Sequence, residues 1–468
     1  MKDTILINKE NRWQERYEKH RCLIEIKNRN QNDIKIEEKA YQAYLKLKKF
    51  LKEKKIEIEI SSAYRSKEEQ ESLREELYKI KGEEYVNSYV AEKDASEHTT
   101  GLAIDLVVLI HDRFEDETDK AYLILEKIHP YLKDFGFILR YPKGKEKITG
   151  YQYEPWHIRY VGNIPAKIIM DNNLTLEEYL EQFGAVLYIN KEKNMTSFDV
   201  VHEISKVYGI KRVGHTGTLD PMAEGVLIVC IGQACKIVEL LTSKEKEYIA
   251  SVKLGVLTDT LDITGNTIEE KEIPDNLDIV GGLEFFHKTY LQEVPIYSSV
   301  KVNGKKLYEY ARSGKSVELP KKIVTIYEIS LLEEKEDSFT FKTLVSKGCY
   351  IRSLIRDILK YLNTCGVMDG LIRTRQGIVS LSDTNTLEEI KKGEGIIHTI
   401  EDVLDYPVVE VSKKIEFQIK NGVSIPDTWN ICDKVIFKNS ENQLLGIYEK
   451  YENMLKTWKN FRNDLNNL

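Results

Sequence analysis

Two short segments in the first third of the sequence combine side chains that could bind a metal ion. The segment SEHTTGLAIDL carries His98 and Asp105 seven positions apart, and EPWHIRYVG carries Glu154 and His157. Two histidines and one carboxylate are a recurrent ligand set for catalytic Zn²⁺, and they leave one coordination position open. Hydrolysis then needs another carboxylate that takes a proton from water and passes it to the leaving amine. We predict His98, Asp105 and His157 as zinc ligands and Glu154 as the proton-transfer residue.

Each of these residues alone has a simpler interpretation, because a lone histidine is more often a surface or core residue than a ligand. Their combination is similar to the VanY/VanXY-type D-alanyl-D-alanine peptidases, and the likeness covers most of residues 5–181. The residues that match the pattern SxHxxGxAxD followed by ExWH are Ser96, His98, Gly101, Ala103, Asp105, Glu154, Trp156 and His157. The resemblance implies a zinc peptidase acting on D-Ala-D-Ala, either as a dipeptidase or as a carboxypeptidase.

The same family has an arginine and a glutamine in a segment like SAYRSKEEQ, where this chain has Arg65 and Gln70. An arginine beside the attacked carbonyl can stabilise the oxyanion that forms there, and Arg65 is our candidate. The resemblance implies that Gln70, Ser96 and Trp156 shape the pocket for the ammonium and carboxylate groups of the substrate. Trp156 is equally compatible with a plain core aromatic.

A second candidate residue is an aspartate between glycines and a proline, in the segment KRVGHTGTLDPMAEGVLIVCIG. Gly214 and Gly217 favour a tight loop, and Pro221 restricts the backbone directly after Asp220. This carboxylate is therefore positioned rather than freely solvated. By turn chemistry alone, a turn residue or a helix cap is the simpler interpretation.

The segment GHTGTLDPMAEGVL is similar to the signature loop of the TruB family, the bacterial synthases that isomerise uridine-55 in the T loop of tRNA. Asp220 occupies the position of that family's aspartate. Further similar segments follow in the family's order: KEYIASVKLGVLTDTLDITG, VPIYSSVKVNGKKLYEYARSG, SKGCYIRSLIRDI and LIRTRQG. The likeness covers about residues 183–380. It implies that Asp220 is the nucleophile of a pseudouridine synthase that needs no metal or redox cofactor.

The same resemblance implies roles for four further residues. Tyr248 stacks on the extruded target base, and His215 helps the loop to enter the RNA. Tyr350 and Arg352 complete the active site, and we expect Arg352 to pair with Asp220 and keep it ionised. Phosphate contacts are expected from basic residues near the family motifs, namely Lys211, Arg212, Lys301, Lys305, Lys306, Arg312, Arg373 and Arg375. Neither half of the chain is basic and the net charge is −7, so acidic residues must lie away from the RNA.

The stretches around these motifs alternate between helical and strand patterns. Apolar spacing predicts helices over 36–55, 67–80 and 119–135 and a strand over 56–62, and Gly136 ends the third helix before the strand FILRY. A capped short helix, a glycine and an apolar strand mark a boundary near 180–184. We predict an α+β multidomain chain: an α+β zinc peptidase over 1–181, a mixed α/β synthase with a mostly antiparallel central sheet over 183–397, and a small β-rich, PUA-like RNA-binding tail over 398–468.

The bulk composition is that of a polar protein with several domains. The chain has 468 residues, of which 41% are hydrophobic and 31% charged, and this length exceeds one ordinary core. The charged first residues, the lack of a long apolar run and six cysteines without metal-site spacing predict a cytoplasmic protein with reduced thiols and no membrane partner. The sequence does not indicate an oligomeric state.

We therefore expect a fusion of two enzymes, one acting on the T-arm stem-loop of tRNA and one, with bound Zn²⁺, on a D-Ala-D-Ala peptide or dipeptide. Two alternatives stay open. One is a working synthase with a non-catalytic, peptidase-like binding or structural module. The other is an RNA-binding protein that folds without catalysing, which is less favoured because Asp220, Tyr248, Tyr350 and Arg352 are all present.

Overall fold

The first part of the chain folds as helices packed on an antiparallel, five-stranded sheet. The computed structural model describes residues 3–115 and 118–461. The elements of this part are β1 (Leu23–Lys27), β2 (Asp33–Glu37), α1 (Glu38–Glu53), β3 (Ile58–Ser62), α2 (Lys67–Lys81), α3 (Glu83–Tyr89), β4 (Ala103–Ile110), β5 (Arg113–Glu115), α4 (Asp119–Leu132), β6 (Phe137–Leu139), α5 (Glu146–Thr149), β7 (His157–Tyr160), α6 (Asn163–Asp171) and α7 (Leu176–Gln182). The strand order is β3–β4–β7–β6 with β5 added to β4, and β1 pairs with β2 separately.

Helices α1 and α4 cover this sheet because their apolar residues recur at helical spacing. In α1 the buried residues are Ala40, Tyr44, Leu47 and Leu51, and they share one core with strands β3 and β4 and with α4. Helix α1 is shorter than the predicted 36–55 because strand β2 extends to Glu37. Helix α4 runs into a 3-10 turn that ends at Gly136, as predicted, with φ near 80°, the left-handed conformation in which glycine commonly ends a helix.

The central part of the chain is built on a nine-stranded sheet. Its elements are β8 (Gly184–Lys191), α8 (Ser197–Val207), β9 (Val213–His215), β10 (Glu224–Gly232), α9 (Val238–Thr242), β11 (Lys246–Leu254), β12 (Val256–Thr258), β13 (Thr267–Glu270), α10 (Ile279–Phe285), β14 (Thr289–Glu293), β15 (Lys301–Val302), β16 (Lys305–Lys306), α11 (Leu307–Arg312), β17 (Lys321–Lys335), β18 (Ser338–Val345), α12 (Ile351–Tyr361), β19 (Gly366–Gln376), β20 (Val379–Ser380) and α13 (Leu387–Lys392). The order is β14–β17–β18–β11–β19–β10–β8, with β20 on β19 and β9 on β10. The sheet is mostly antiparallel, as predicted, with β10 and β19 parallel.

Residues 408–460 form a small sheet with one helix. Its elements are β21 (Val408–Glu410), α14 (Lys413–Lys420), β22 (Ile425–Pro426), β23 (Lys434–Lys438), β24 (Leu444–Tyr451) and β25 (Met454–Asn460). The strand order is β21–β23–β24–β25–β22. This part is β-rich, as the sequence indicated, and its assignment as a PUA-like domain stays a prediction.

The two larger sheets are joined without a flexible linker. Helix α7 is held by a capping box between Thr175 and Glu178, and strand β8 begins two residues after it ends. Tyr179 of α7 donates its hydroxyl hydrogen to the carbonyl oxygen of Tyr208 at 2.7 Å. One apolar cluster contains buried residues from both sides of this junction. The two parts therefore share some of their core.

Within the described residues, every helix is too short or too polar to span a bilayer. All six cysteines lie in the described part of the chain and are free thiols.

Candidate active sites

The predicted metal ligands meet at one end of the first sheet. His98 lies in the 3-10 turn Glu97–Thr100 ahead of β4, Asp105 lies on β4, and His157 begins β7. Asp105 and His157 are direct partners in the antiparallel β4–β7 pairing, so their side chains project from the same face. The Asp105 carboxylate lies 3.2 Å from His98 Nε2 and 3.1 Å from His157 Nδ1. The three ligand atoms lie within 4.8 Å of one another.

The orientation of the His98 ring leaves one nitrogen free for a metal ion. His98 Nδ1 lies 2.5 Å from the carbonyl oxygen of Ala63, which accepts its hydrogen and leaves Nε2 as the ligand atom. Burial lowers the pKa of His98, so the ring is in the neutral form that binds metals. Two imidazole nitrogens and a carboxylate at these distances fit Zn²⁺ with an open position.

Three carboxylates surround the ring of His157. Burial opposes its charged form, but hydrogen bonds and charge from Asp105, Glu97 and Glu154 raise the pKa of His157 to about 9. Glu154 Oε2 lies 3.5 Å from His157 Nδ1, and burial raises the pKa of Glu154 to about 8, with Asp105 adding to the rise and His157 opposing it. The carboxylates therefore favour a positive charge at this position, which a bound metal ion would supply.

The predicted pocket residues Arg65, Gln70, Ser96 and Trp156 line the same cavity as the metal ligands. Arg65 donates to Gln70 Oε1 at 2.7 Å and to Ser62 Oγ at 2.9 Å. Gln70 is 1% exposed and also donates to the Ala91 carbonyl at 2.8 Å, so it holds Arg65 in place. Trp156 lines the cavity and also packs against the core of the sheet.

Helices α2 and α3 complete this cavity with side chains that the sequence did not single out. They are Leu73, Leu77, Tyr85 and Tyr89. Their spacing is ordinary for an amphipathic helix, so only the three-dimensional structure brings them to the metal ligands.

Asp220 lies in the loop between β9 and β10, and neighbouring side chains hold that loop. The Ser197 hydroxyl donates to the Leu219 carbonyl at 3.2 Å and accepts from the Leu219 N–H at 2.9 Å. Lys191 Nζ donates to the Pro221 carbonyl at 3.4 Å and to the Met195 carbonyl at 2.6 Å. The Asp220 side chain keeps 30% exposure, so a bound molecule can reach it.

Arg352 of α12 forms a bidentate ion pair with Asp220. Arg352 Nε lies 2.9 Å from Asp220 Oδ2, and Nη2 lies 3.0 Å from Oδ1. Further bonds to the carbonyls of Thr260 and Tyr297, both at 2.9 Å, fix the guanidinium. Burial raises the pKa of Asp220, Arg352 lowers it, and Asp262 adds to the rise, with a net upward direction. Arg352 thus lowers the pKa of Asp220, but by less than burial raises it.

The two predicted active-site tyrosines lie close enough to Asp220 for its charge to affect their pKa values. Burial raises the pKa of Tyr248 and of Tyr350, and the Asp220 carboxylate contributes in the same direction at both. Tyr248 is 7% exposed and belongs to the main apolar cluster. His215 ends β9, and its Nδ1 accepts from the Gly217 N–H at 3.3 Å.

The predicted phosphate contacts divide into two groups. The residues Lys211, Arg212, Lys301, Lys305 and Arg312 are exposed, and Lys306 and Arg375 are partly exposed. The prediction for Arg373 is wrong, because its side chain is 0% exposed. Its guanidinium donates to the carbonyls of Val226 at 2.5 Å and Gly217 at 3.1 Å. Arg373 therefore ties β19 to the loop that carries Asp220, and no phosphate can reach it.

Sequence reasoning missed three charged residues at these sites. Asp262 lies 3.8 Å from Arg352 Nη1, and Lys191 binds the Asp220 loop as described above. Asp262 lies within the segment KEYIASVKLGVLTDTLDITG. The similarity of that segment to the TruB family was therefore the signal that could have identified Asp262. Glu97, directly before His98, has a carboxylate oxygen 3.8 Å from His157 Nε2, and only its position between Ser96 and His98 pointed to it.

Two family models match different parts of the chain. The model for TruB family pseudouridylate synthase, N-terminal domain, matches residues 205–351, and the model for D-alanyl-D-alanine carboxypeptidase matches residues 33–163. The tRNA pseudouridine synthase B of Caldanaerobacter subterraneus subsp. tengcongensis is 41% identical over 271 residues, which are 57% of this chain and 91% of that relative. The corresponding synthase of Geobacillus thermodenitrificans is 39% identical over 299 residues, or 59% of this chain and 99% of the relative.

Among solved structures, a zinc complex of the vancomycin-resistance D,D-pentapeptidase VanY is 29% identical and covers 38% of this chain and 99% of that chain, with a TM-score of 0.33. By the family match over residues 33–163, the chain has a D-alanyl-D-alanine carboxypeptidase-type domain ahead of its synthase part. By its coverage of the named relatives, this chain belongs to the TruB family of pseudouridylate synthases.

Proposed function

We propose that the part of the chain from residue 183 onward isomerises uridine-55 in the T loop of tRNA, with Asp220 as the nucleophile. The bidentate pair between Asp220 and Arg352 carries this proposal, because it fixes an anion in a loop that solvent still reaches. Asp220 attacks the extruded nucleotide, and the bond between N1 and C1′ breaks. The uracil rotates and C5 bonds to C1′ as the bond to Asp220 breaks, which returns the free carboxylate, and the proton lost from C5 is matched by one gained at N1.

Other side chains support this reaction. Tyr248 presents its ring to the extruded base, and Arg352 orients the carboxylate. Exposed Lys211, Arg212 and Lys305 are suited to phosphate contacts. The expected result of the test is that Asp220→Ala abolishes pseudouridine formation on a T-arm stem-loop but still binds it. The control Asp369→Ala, an exposed residue of β19, retains full activity. An active Asp220→Ala variant would falsify the nucleophile assignment.

We also propose that residues 1–181 form a zinc-dependent peptidase that releases a C-terminal D-alanine. His98, Asp105 and His157 would hold the ion, which supplies Lewis-acid polarisation of the scissile carbonyl. Glu154 takes a proton from the attacking water and gives it to the leaving amine. Arg65, fixed by Gln70 and Ser62, stabilises the negative charge that develops on the carbonyl oxygen.

The convergence of the three ligand atoms carries this second proposal. The test compares wild type with Glu154→Gln on D-Ala-D-Ala and on a longer peptide ending in D-alanine. We expect both proteins to bind about one Zn²⁺ per chain and only wild type to hydrolyse. Cleavage of the dipeptide alone would identify a dipeptidase, and cleavage of the longer peptide a carboxypeptidase. A wild-type protein with zinc but no hydrolysis would favour the alternative of a non-catalytic binding module.

We further propose the division into domains 1–181, 183–397 and 398–468, with the last acting as a PUA-like RNA-binding appendage in a cytoplasmic protein. The element boundary between α7 and β8 supports the first division. The separate apolar cluster of the tail, around Phe437 and Tyr448, supports the second.

A further inference from the structure

A buried carboxylate faces the nitrogen of His157 that points away from the metal ligands. Glu97 is 1% exposed, and its Oε2 lies 3.8 Å from His157 Nε2. Within the described residues, neither of these two buried atoms has a hydrogen-bond partner. His157 Nδ1 faces Asp105 at 3.1 Å, so the ring lies between the metal site on one side and Glu97 on the other.

Two arginines hold Glu97 in this position. Arg140 Nε donates to Glu97 Oε1 at 2.7 Å, and Arg159 Nη1 lies 2.8 Å from the same oxygen. Both guanidinium groups are 0% exposed. Because Oε1 is bound by both arginines, the other oxygen of the carboxylate is left to face His157.

Arg140 also connects Glu97 to the helix that joins the two parts of the chain. Its Nη1 and Nη2 donate to the Glu177 carboxylate at 2.9 and 2.6 Å, and Asn8 donates to Glu177 at 3.2 Å. Glu177 lies on α7, outside residues 33–163 of the carboxypeptidase match. Two positions later, Tyr179 of the same helix binds the carbonyl of Tyr208.

We propose that Glu97 is a positioning residue for His157 and that Glu177 holds Glu97 in place through Arg140. The metal affinity of the N-terminal site then depends on the helix that leads into the synthase part. This inference rests on the proposed zinc site. A carboxylate that accepts the N–H of a ligating histidine fixes the ring orientation and makes the other nitrogen a better ligand. The Ala63 carbonyl accepts the N–H of His98, and Glu97 would accept the N–H of His157. Each histidine would then have an acceptor on the side away from the metal.

A purely structural role would have a different result. Two buried carboxylates and two buried guanidinium groups balance in charge, and breaking such a cluster destabilises a fold whether or not it affects a metal. The two roles separate if zinc affinity and the stability of zinc-free protein are measured on the same full-length variants. A positioning role lowers zinc affinity by more than the change in stability explains.

The experiment compares Glu97→Gln, Glu177→Gln and the control Glu178→Gln. Glu178 is the next residue on α7, is equally buried, and pairs with Lys145 instead of Arg140. Zinc dissociation constants come from competition with a chelator, the ligand geometry from the visible spectrum of the Co²⁺ form, and stability from thermal unfolding without metal. We expect zinc affinity to fall about 10- to 100-fold in Glu97→Gln, to fall by a smaller factor in Glu177→Gln, and to be unchanged in Glu178→Gln.

Each outcome bears on one claim. If wild type binds no zinc, the proposed metal site is wrong and this inference falls with it. If wild type binds zinc and Glu97→Gln binds it equally well with the same Co²⁺ spectrum, the positioning role is wrong. If Glu177→Gln behaves like Glu178→Gln, the dependence on α7 is wrong.

A second variant covers the case in which Glu97→Gln does not fold. The double variant Glu97→Gln/Arg159→Met removes one buried charge of each sign and leaves the pair of Arg140 with Glu177. A folded double variant with the zinc affinity of wild type would overturn the positioning role, and one with weakened affinity supports it.

Discussion

The two candidate sites bury acidic groups in opposite electrostatic surroundings. At the first site, Asp105, Glu97 and Glu154 surround His157 and raise its pKa to about 9. At the second site, Arg352 forms a bidentate pair with Asp220, and Lys191 lies near enough to lower the pKa of Asp220. Carboxylates that favour a positive charge on His157 also favour a bound metal ion, and a carboxylate paired with cations suits a polyanionic partner.

The construction of the two sites differs as well. Two of the three metal ligands of the first site lie on paired strands, where register alone brings Asp105 opposite His157. The nucleophile of the second site lies on a loop, so side chains such as Ser197 and Arg373 must hold it from outside. A change of strand register requires the pairing of the whole sheet to change, whereas a single substitution can displace a loop. We expect the second site to be more sensitive to changes in its supporting residues.

The largest expected effect is a complete separation of the two activities. His98→Ala should abolish zinc binding and lower peptide hydrolysis by about 10³-fold or more, because the metal supplies several kcal/mol of charge stabilisation. Pseudouridine formation should not change, since His98 lies in the first part of the chain, in the turn ahead of β4. The measurement is zinc content together with both activities on one preparation. A parallel loss of pseudouridine formation would show that the two sites are not independent.

A smaller effect is expected when the cation beside Asp220 is removed. Arg352→Gln leaves Asp220 and Asp262 without their shared partner, and the loss of orientation of the nucleophile should lower the rate by about 10²-fold. Single-turnover pseudouridine formation measures this loss. The matched control is Arg356→Gln, one turn later on α12, where the arginine pairs with Glu293 and Asp357 instead. Equal losses in both variants would point to damage of the helix.

Local elements around both sites could be predicted from the sequence. The glycine that ends α4 and the helix α2 at Lys67–Lys81 were located by spacing and caps that act within a few residues. The set of metal ligands was correctly grouped because its motifs are short and distinctive. The contribution of Glu97 was not, since it depends on Arg140 and Glu177, which lie 43 and 80 positions away in sequence and meet it only in the folded core.

The misassignment of Arg373 has a similar cause. A basic residue in a segment like LIRTRQG is compatible with a surface contact, and burial of an arginine is rare unless its donors are satisfied. Here two backbone carbonyls satisfy them. These carbonyls belong to β10 and to the Asp220 loop, about 150 positions earlier, so no local pattern pointed to this arrangement.

A still smaller effect is expected from Arg373 itself. Arg373→Met should lower the free energy of unfolding by about 1–3 kcal/mol, because two buried carbonyls lose their donor. The affinity for a T-arm stem-loop should keep its salt dependence, since this residue contacts no phosphate. Lys211→Gln, at an exposed position, should show the reverse, with unchanged stability and a reduced salt slope. Denaturant unfolding measures the stability of both variants, and RNA titration at several salt concentrations measures their salt slopes. A reduced salt slope in Arg373→Met would mean that Arg373 does contact a phosphate.

The smallest effect is a shift in the pH dependence of the synthase. Burial raises the pKa of Asp220 above its ordinary 3.8 and Arg352 opposes the rise. The nucleophile must be ionised, so activity is lost as pH falls through this raised pKa and is complete above it. Arg352→Gln removes the opposing charge and should move the acid limb to higher pH, whereas Arg352→Lys should move it less. Single-turnover rates across the acid range measure the limb. An identical limb in all three proteins would mean that Arg352 orients Asp220 without affecting its ionisation, and the contrast between the two sites would then be geometric only.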